Sequence, residues 1–327
     1  MISYRKKFIL ITLATIFAVA FFYINENPVS VFSNEIVTAN HIYLSYDEVQ
    51  KSAAFGGGVD GLEYAATITV SPDNKHVYVT GQGDDSVALF SRNSSTGALT
   101  YVEVKKNGVG GIDGLEGCWS VTVSPDGNHV YVASYVQNSV AVFSRNSSTG
   151  ALTYVEVKKD GVGGVDGLDS AGSVTVSPDG NHVYVAANGD DAVVVFSRNS
   201  STGALTYIEV IKDTDQGVDG LDGARAVTVS PDNKHVYVTG RDDDSVAVFS
   251  RNSSTGALTY VEMKKDDLGG VDGLDAATAV TVSPDGNHVY ATGSSDDAVA
   301  GFSRNSSTGA LTFVEMIKDS FSLDRIR

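Results

Sequence analysis

Five residues of unlike chemistry stand at one recurring place in this chain. They are Ala66, Trp119, Gly172, Arg225 and Thr278, spaced 53 residues apart. An indole offers a flat face to a sugar or apolar ring, and a guanidinium can hold a carboxylate or a developing oxyanion. Arg241, another singleton, lies in the same repeat as Arg225. In a chain that otherwise repeats itself, a site belongs where the repeat is broken. Trp119, Arg225, Thr278 and Arg241 are therefore the candidate ligand-binding residues. The competing reading is drift at a tolerant position.

The carboxylates suggest a different chemistry. Asp60, Asp113, Asp166, Asp219 and Asp272 share one repeat position, and Glu63, Glu116, Asp169, Asp222 and Asp275 follow three residues later in each. A second cluster contains Asp84-Asp85, Asp190-Asp191, Asp243-Asp244 and Asp296-Asp297, with Gln137-Asn138 in the remaining repeat. Calcium takes several carboxylate and carbonyl oxygens, which Gly-rich loops can present. The candidate metal ligands are Asp166, Asp169, Asp190 and Asp191. The competing reading is that Asp and Gly are here as turn formers. His76, His129, His182, His235 and His288 also hold one repeat position. A catalytic base is needed once, so five copies read as packing or turn-anchoring groups. No Ser-His-Asp arrangement is suggested, because the serines repeat as well.

These residues are carried by a repeat of constant length. Ser-Pro recurs at Ser71, Ser124, Ser177, Ser230 and Ser283, and SRNSSTGALT begins at Ser91, Ser144, Ser197, Ser250 and Ser303, all in steps of 53. One unit reads as four strands. Ser173 to Ser177 alternates β-branched and small residues, and Pro178-Asp179-Gly180-Asn181 is a tight turn. His182 to Ala186, Ala192 to Arg198 and Ala204 to Lys212 are the second, third and fourth strands, separated by Gly, Asp, Asn and Ser clusters. Nothing inside a unit has helical periodicity. The fold class is all-β, a β-propeller of four-stranded antiparallel blades. A β-solenoid is the rival, with shorter repeats and fewer turns. In a propeller the first strand lines a central channel, which places the variable position and both acidic clusters on one upper face. The Ser-Pro turns and histidines then fall on the lower face. Five full repeats occupy 59–320. His41 to Gln50 resembles a fourth strand and Val31-Phe32-Ser33 faintly a third, so an extra N-terminal strand or hairpin is expected in 25–58. The tail, 321–327, resembles nothing in the repeat.

The units SPDGNHVYVAANGDDAVVVFSRNSSTGALTYIEV, from Ser177, and SPDNKHVYVTGRDDDSVAVFSRNSSTGALTYVEM, from Ser230, resemble the repeat of the bacterial lactonase-like propellers. These are also called Tyr-Val-Thr-Asn propellers and include propeller-type 6-phosphogluconolactonases. The motif reads Tyr78-Val79-Thr80-Gly81 and Tyr237-Val238-Thr239-Gly240 here, with Gly in the fourth place. The resemblance implies the propeller fold and, as an activity, hydrolysis of a sugar lactone.

Composition narrows the partners. Forty Asp and Glu against 23 Lys and Arg give a formal charge of -17. Such a surface repels phosphate backbones and anionic lipid, so nucleic acid and the membrane surface are excluded as partners. Arg5-Lys6-Lys7 precedes an uncharged run from Phe8 to Tyr23. That run is shorter than the ~20 residues of a full membrane span and fits a signal-peptide core. Ala18-Val19-Ala20 offers a cleavage site, while Phe21-Phe22-Tyr23 extends the run as an anchor would. Residues 1–24 thus read as a signal peptide or membrane anchor, and either places the body outside the cytoplasm, periplasmic, secreted or membrane-anchored. The single cysteine, Cys118, permits neither an internal disulfide nor a cysteine zinc site. The leading expectation is an exported module that binds a small molecule or an extracytoplasmic protein on its acidic upper face, with calcium as the one cofactor in view. The alternative is a lactone hydrolase working at the channel mouth. For that, turnover is expected to be weak or absent, since no base is evident beside Arg225.

Overall fold

In a computed structural model of the chain, residues 58–319 are described. They fall within one compact unit, Asp47–Arg327. The expected leader over 1–24, most of the N-terminal segment with its extra strand, and the tail lie outside the described residues.

Twenty strands form five separate four-stranded sheets, each antiparallel and ordered as in the chain. In the third unit the strands are Ala171–Val176, His182–Ala187, Ala192–Arg198 and Leu205–Lys212. The pattern recurs from the first inner strand, Ala65–Val70, to the last outer strand, Leu311–Lys318. The turn residues explain the spacing. The Ser177 hydroxyl donates to Asp179 and accepts the His182 amide, closing the Ser-Pro hairpin. Asn199 Oδ1 accepts the amides of Ser201 and Thr202 and shapes the NSSTG loop.

Each sheet is too thin to bury its own faces, so the core lies between sheets. One cluster joins Tyr184, Ala186, Val193 and Val195 of the third unit to Val227, Val236, Val238 and Phe249 of the fourth. Equivalent clusters join the first to the second, the second to the third and the fourth to the fifth. The inner strands touch their neighbours directly: the Val174 amide donates to Ser120 Oγ, and the Val227 amide to Ser173 Oγ. The result is the expected propeller arrangement, blades side by side with their inner strands facing the channel.

A polar joint reinforces each apolar one. Arg198, at the end of the second unit's neighbour strand Ala192–Arg198, reaches back into the second unit. Its Nε donates to Tyr131 Oη at 2.8 Å and its Nη2 to Asp126 and to His129 Nδ1, each at 2.7 Å. Tyr131 Oη donates in turn to the Gly203 carbonyl at 2.8 Å. Gly203 has φ of +79°, and a Cβ there would collide with the His129 ring, so glycine is required. Arg145, Arg251 and Arg304 make the same joint with Tyr78, Tyr184 and Tyr237. Four of the five repeated histidines, His76, His129, His182 and His235, are thus placed as packing groups between blades.

Candidate functional site at the channel mouth

The five variable residues share one backbone feature. In the third unit, Ala186 pairs with Ser173 and Ala187 with Ala171, so Gly172 is left out of the ladder as a bulge. By the same register step Trp119, Arg225 and Thr278 are the bulged residues of their inner strands. Ala66 lies in the corresponding irregularity of the first unit. A bulge frees one residue from pairing and re-aims its side chain. That is why this position can vary without damage to the sheet.

Two of these side chains meet. The Arg225 guanidinium carbon sits 4.7 Å from the centre of the Trp119 ring. They come from the second and fourth units, and the residue between them at the same level is Gly172, buried and without a side chain to intervene. Tyr135 completes the wall, its ring 6.2 Å from that of Trp119 and tilted by 47°. Its hydroxyl donates to Asn188 Oδ1 at 3.4 Å. Burial lowers the pKa of Arg225, and the positive charge of Arg241 lowers it further, against an opposing effect of Tyr135. A half-buried cation held against an aromatic face gains about 0.5–2 kcal/mol from the ring quadrupole. Among the described residues no hydrogen bond takes up its donors, which can serve an anionic or carbonyl oxygen.

The other two candidates stand apart from this pair. Thr278 Oγ1 lies 2.9 Å from Thr292 Oγ1, within its own unit. Arg241 is exposed, with Nη1 3.7 Å from Asp242. Sequence reasoning overlooked Tyr135 and Asn188, although a signal was present. Gln82, Tyr135, Asn188, Arg241 and Ser294 hold one repeat position in the second upper loop, and it is as varied as the first.

The acidic loops are drawn together as well. Carboxylate oxygens of Asp160, Asp166 and Asp190 lie within 4.8 Å of one another, and the same triad recurs as Asp213, Asp219, Asp243 and as Asp266, Asp272, Asp296. Each of the four proposed calcium ligands already has a protein contact. Lys212 Nζ lies 2.8 Å from Asp190 and 3.5 Å from Asp166. Asp190 Oδ2 accepts the Asp169 amide, Asp169 Oδ1 accepts the Ser170 hydroxyl, and Asp191 Oδ1 accepts the Gly223 amide. Crowding shows in the neighbouring acids: burial, then the charges of Asp191, Asp243 and Asp242, raises the pKa of Asp222. His76, His129, His182 and His235 lie at the joints, bonded to Arg145, Arg198, Arg251 and Arg304 and not to the Trp119–Arg225 pair. Clefts lined by Val104, Ile112 and Tyr154 and by Asp113, Val157 and Val165 lie on outer strands, and neither includes a residue of that pair.

With this geometry in view, comparison with known proteins gives the family. The model described as "Lactonase, 7-bladed beta-propeller" matches residues 20–111, 117–266 and 221–320, and the chain belongs to that family. An uncharacterized protein of Staphylococcus saprophyticus is 25% identical over 271 residues, covering 81% of this chain and 74% of its own. A 6-phosphogluconolactonase of Klebsiella pneumoniae is 27% identical over 237 residues, covering 71% of this chain but 65% of the enzyme. The match therefore spans less than two thirds of that enzyme's length. Among solved structures, a Lactobacillus plantarum protein aligns with TM-score 0.64 at 20% identity, over 77% of this chain and 70% of the other, and shows the same fold. The family takes its description from seven blades, whereas the described residues build five.

Proposed function

We propose that the channel mouth binds a sugar lactone and that the protein acts as a lactone hydrolase there. The observation that carries this reading is the Arg225 guanidinium stacked on Trp119, on residues freed by bulges at the mouth of a lactonase-family propeller. Trp119 would take the apolar face of the sugar ring. Arg225 would donate to the lactone carbonyl oxygen as water adds to its carbon, where negative charge develops. The ring C–O bond then breaks, the ring oxygen leaves as a hydroxyl, and the product is the hydroxy acid. The attacking water must lose a proton. Asp222, three residues before Arg225, is the carboxylate proposed to accept it. A net charge of -17 disfavours a phosphorylated substrate, as does export, which the leader motivates. We therefore place an unphosphorylated sugar lactone ahead of 6-phosphogluconolactone.

The reading of a binding module without turnover is supported by one observation. Among the described residues, no histidine or carboxylate is bonded to Arg225, so the proposed base, Asp222, is not held against it. The two separate in one experiment on purified protein with glucono-1,5-lactone, following both heat of binding and acid release. Hydrolysis above background that falls at least tenfold in Arg225→Ala supports the hydrolase. Binding that needs Trp119 and Arg225 without acid release supports the binding module. Neither signal would refute the site.

A further inference from the structure

The polar joint described above is made four times, yet five units carry its parts. Each unit presents a socket to the unit that follows and a plug to the unit before. The socket is an Asp, a His and a Tyr, and the plug is an Arg with a Gly carbonyl. In the fifth unit the socket is Asp285, His288 and Tyr290. Tyr290 is 42% exposed, whereas Tyr78, Tyr131, Tyr184 and Tyr237 are fully buried. His288 is exposed while its four counterparts are buried. The apolar face around this socket is bare as well, since Val299, Val314 and Ile317 are exposed. At the equivalent place Val87, Val140, Val193 and Val246 are all fully buried.

The matching plug stands on the first unit. Arg92 Nη1 donates to the Asn74 carbonyl at 3.1 Å, the counterpart of the bond from Arg145 to Gly127. Among the described residues its Nε and Nη2 have no partner corresponding to Tyr, His or Asp. A Cβ built on Gly97 meets nothing within 4 Å, where those on Gly150, Gly203, Gly256 and Gly309 meet a histidine ring. Ile68 and Val70, on the same unit's inner strand, are exposed.

We infer that the fifth unit of one copy receives the first unit of a second copy, head to tail, through the joint already used inside the chain. The two unmatched halves specify the occupant. Among the described residues, Arg92 is the one arginine at the plug position left without a socket, and Asp285–His288–Tyr290 is the one socket left without an arginine. Both halves stay open among the described residues of a single chain. The acidic socket and the cationic plug are complementary in charge, and the apolar surface around each is the kind that such interfaces bury. A contact of this type joins two different surfaces, so it leaves a free half at each end and can be extended.

The test uses the full chain in sedimentation velocity over a range of concentrations. The wild type should form a concentration-dependent series of oligomers. Arg92→Glu, with a spoiled plug, and Asp285→Lys/Tyr290→Ala, with a spoiled socket, should each remain monomeric. An equimolar mixture of the two should form a heterodimer and stop there, because only one joint can be made. Arg92→Ala keeps the proposal testable if the socket variant does not fold. It alters a half-buried residue that lacks the joint and should weaken association about thirtyfold or more, as expected on truncating one partner of an interfacial charge pair. A wild type that stays monomeric at every concentration would overturn the inference. So would an Arg92→Glu protein that associates as strongly as the wild type, or a mixture that yields no dimer.

Discussion

Arg251→Ala and Arg92→Ala remove the same residue from nearly the same local sequence, and the structure assigns them different costs. The Arg251 side chain is fully buried, against Asp179 at 2.9 Å with 22% exposure. It also donates to Tyr184 Oη at 2.6 Å, His182 Nδ1 at 2.7 Å and the Asn233 carbonyl at 2.8 Å. Removing one partner of a buried, hydrogen-bonded pair costs about 3–5 kcal/mol. Part of this is softened here. Asp179 keeps the Ser177 hydroxyl at 2.6 Å, and Tyr184 keeps the Gly256 carbonyl at 2.8 Å. The lower end, about 3 kcal/mol, is therefore expected for Arg251→Ala. For a folded body of this size that corresponds to a fall in melting temperature of about 6–10 °C. Arg92 lacks the joint, so Arg92→Ala should stay within about 0.5 kcal/mol, measured at a concentration where copies do not associate. Hydrogen exchange adds a second reading. In a repeat array stability is carried by neighbour interfaces, so the strand His235–Gly240 should lose protection before His129–Ser134 in Arg251→Ala. Equal losses in the two variants would refute the idea that the joint, rather than the arginine itself, stabilises the array.

Acid should loosen the same joints. Burial works to raise the Asp126 and Asp232 carboxyls, but hydrogen bonds from Ser124 and Arg198, and from Ser230 and Arg304, outweigh it and hold both at about 2. Groups lowered from 3.8 in the folded chain contribute stability that is present above pH 4 and lost as pH falls toward 2. After solvent screening this is about 1 kcal/mol per joint, so circular dichroism should show a melting point falling steeply over that window, and a flat profile there would count against it. Calcium is expected to raise the melting point relative to chelator at matched ionic strength, through added stability of up to about 2.7 kcal/mol at a hundredfold excess over its dissociation constant. Lys212 must first leave Asp190 and Asp166, so Lys212→Ala should enlarge the rise, and an unmoved midpoint in both proteins would leave the acids as loop-forming groups.

Much of the fold was legible in the sequence because the repeat writes the same pattern five times. His182 to Ala186 and Ala192 to Arg198 were read to within a residue, since β-branched residues and flanking Asn, Asp and Gly mark both ends. The inner strand was read from Ser173, two residues late. Ala171 and Gly172 have little strand preference, and the bulge between Ala171 and Ser173 breaks the alternation that periodicity looks for. The site was half legible. Trp119 and Arg225 declared themselves by differing from their counterparts, but that they touch depends on Gly172 and on an alignment across three sheets. The Arg–Tyr–His–Asp joints were hidden by their own regularity. Each member recurs in every unit, and its partner lies 67 to 72 residues away, a pairing that no local pattern expresses.

The joint has a further consequence for how such a chain can change over generations. Because every unit carries one plug and one socket, removal or duplication of a whole 53-residue segment leaves each remaining contact correctly matched. Unequal recombination between the near-identical segments is thus tolerated by the scaffold. The Trp119–Arg225 pair has no such indifference, for it depends on a glycine-bearing unit standing between its two members. Variants of different length would be expected to keep their architecture while losing or reshaping what they recognise, so the order of the units is inherited information of a kind that their number is not.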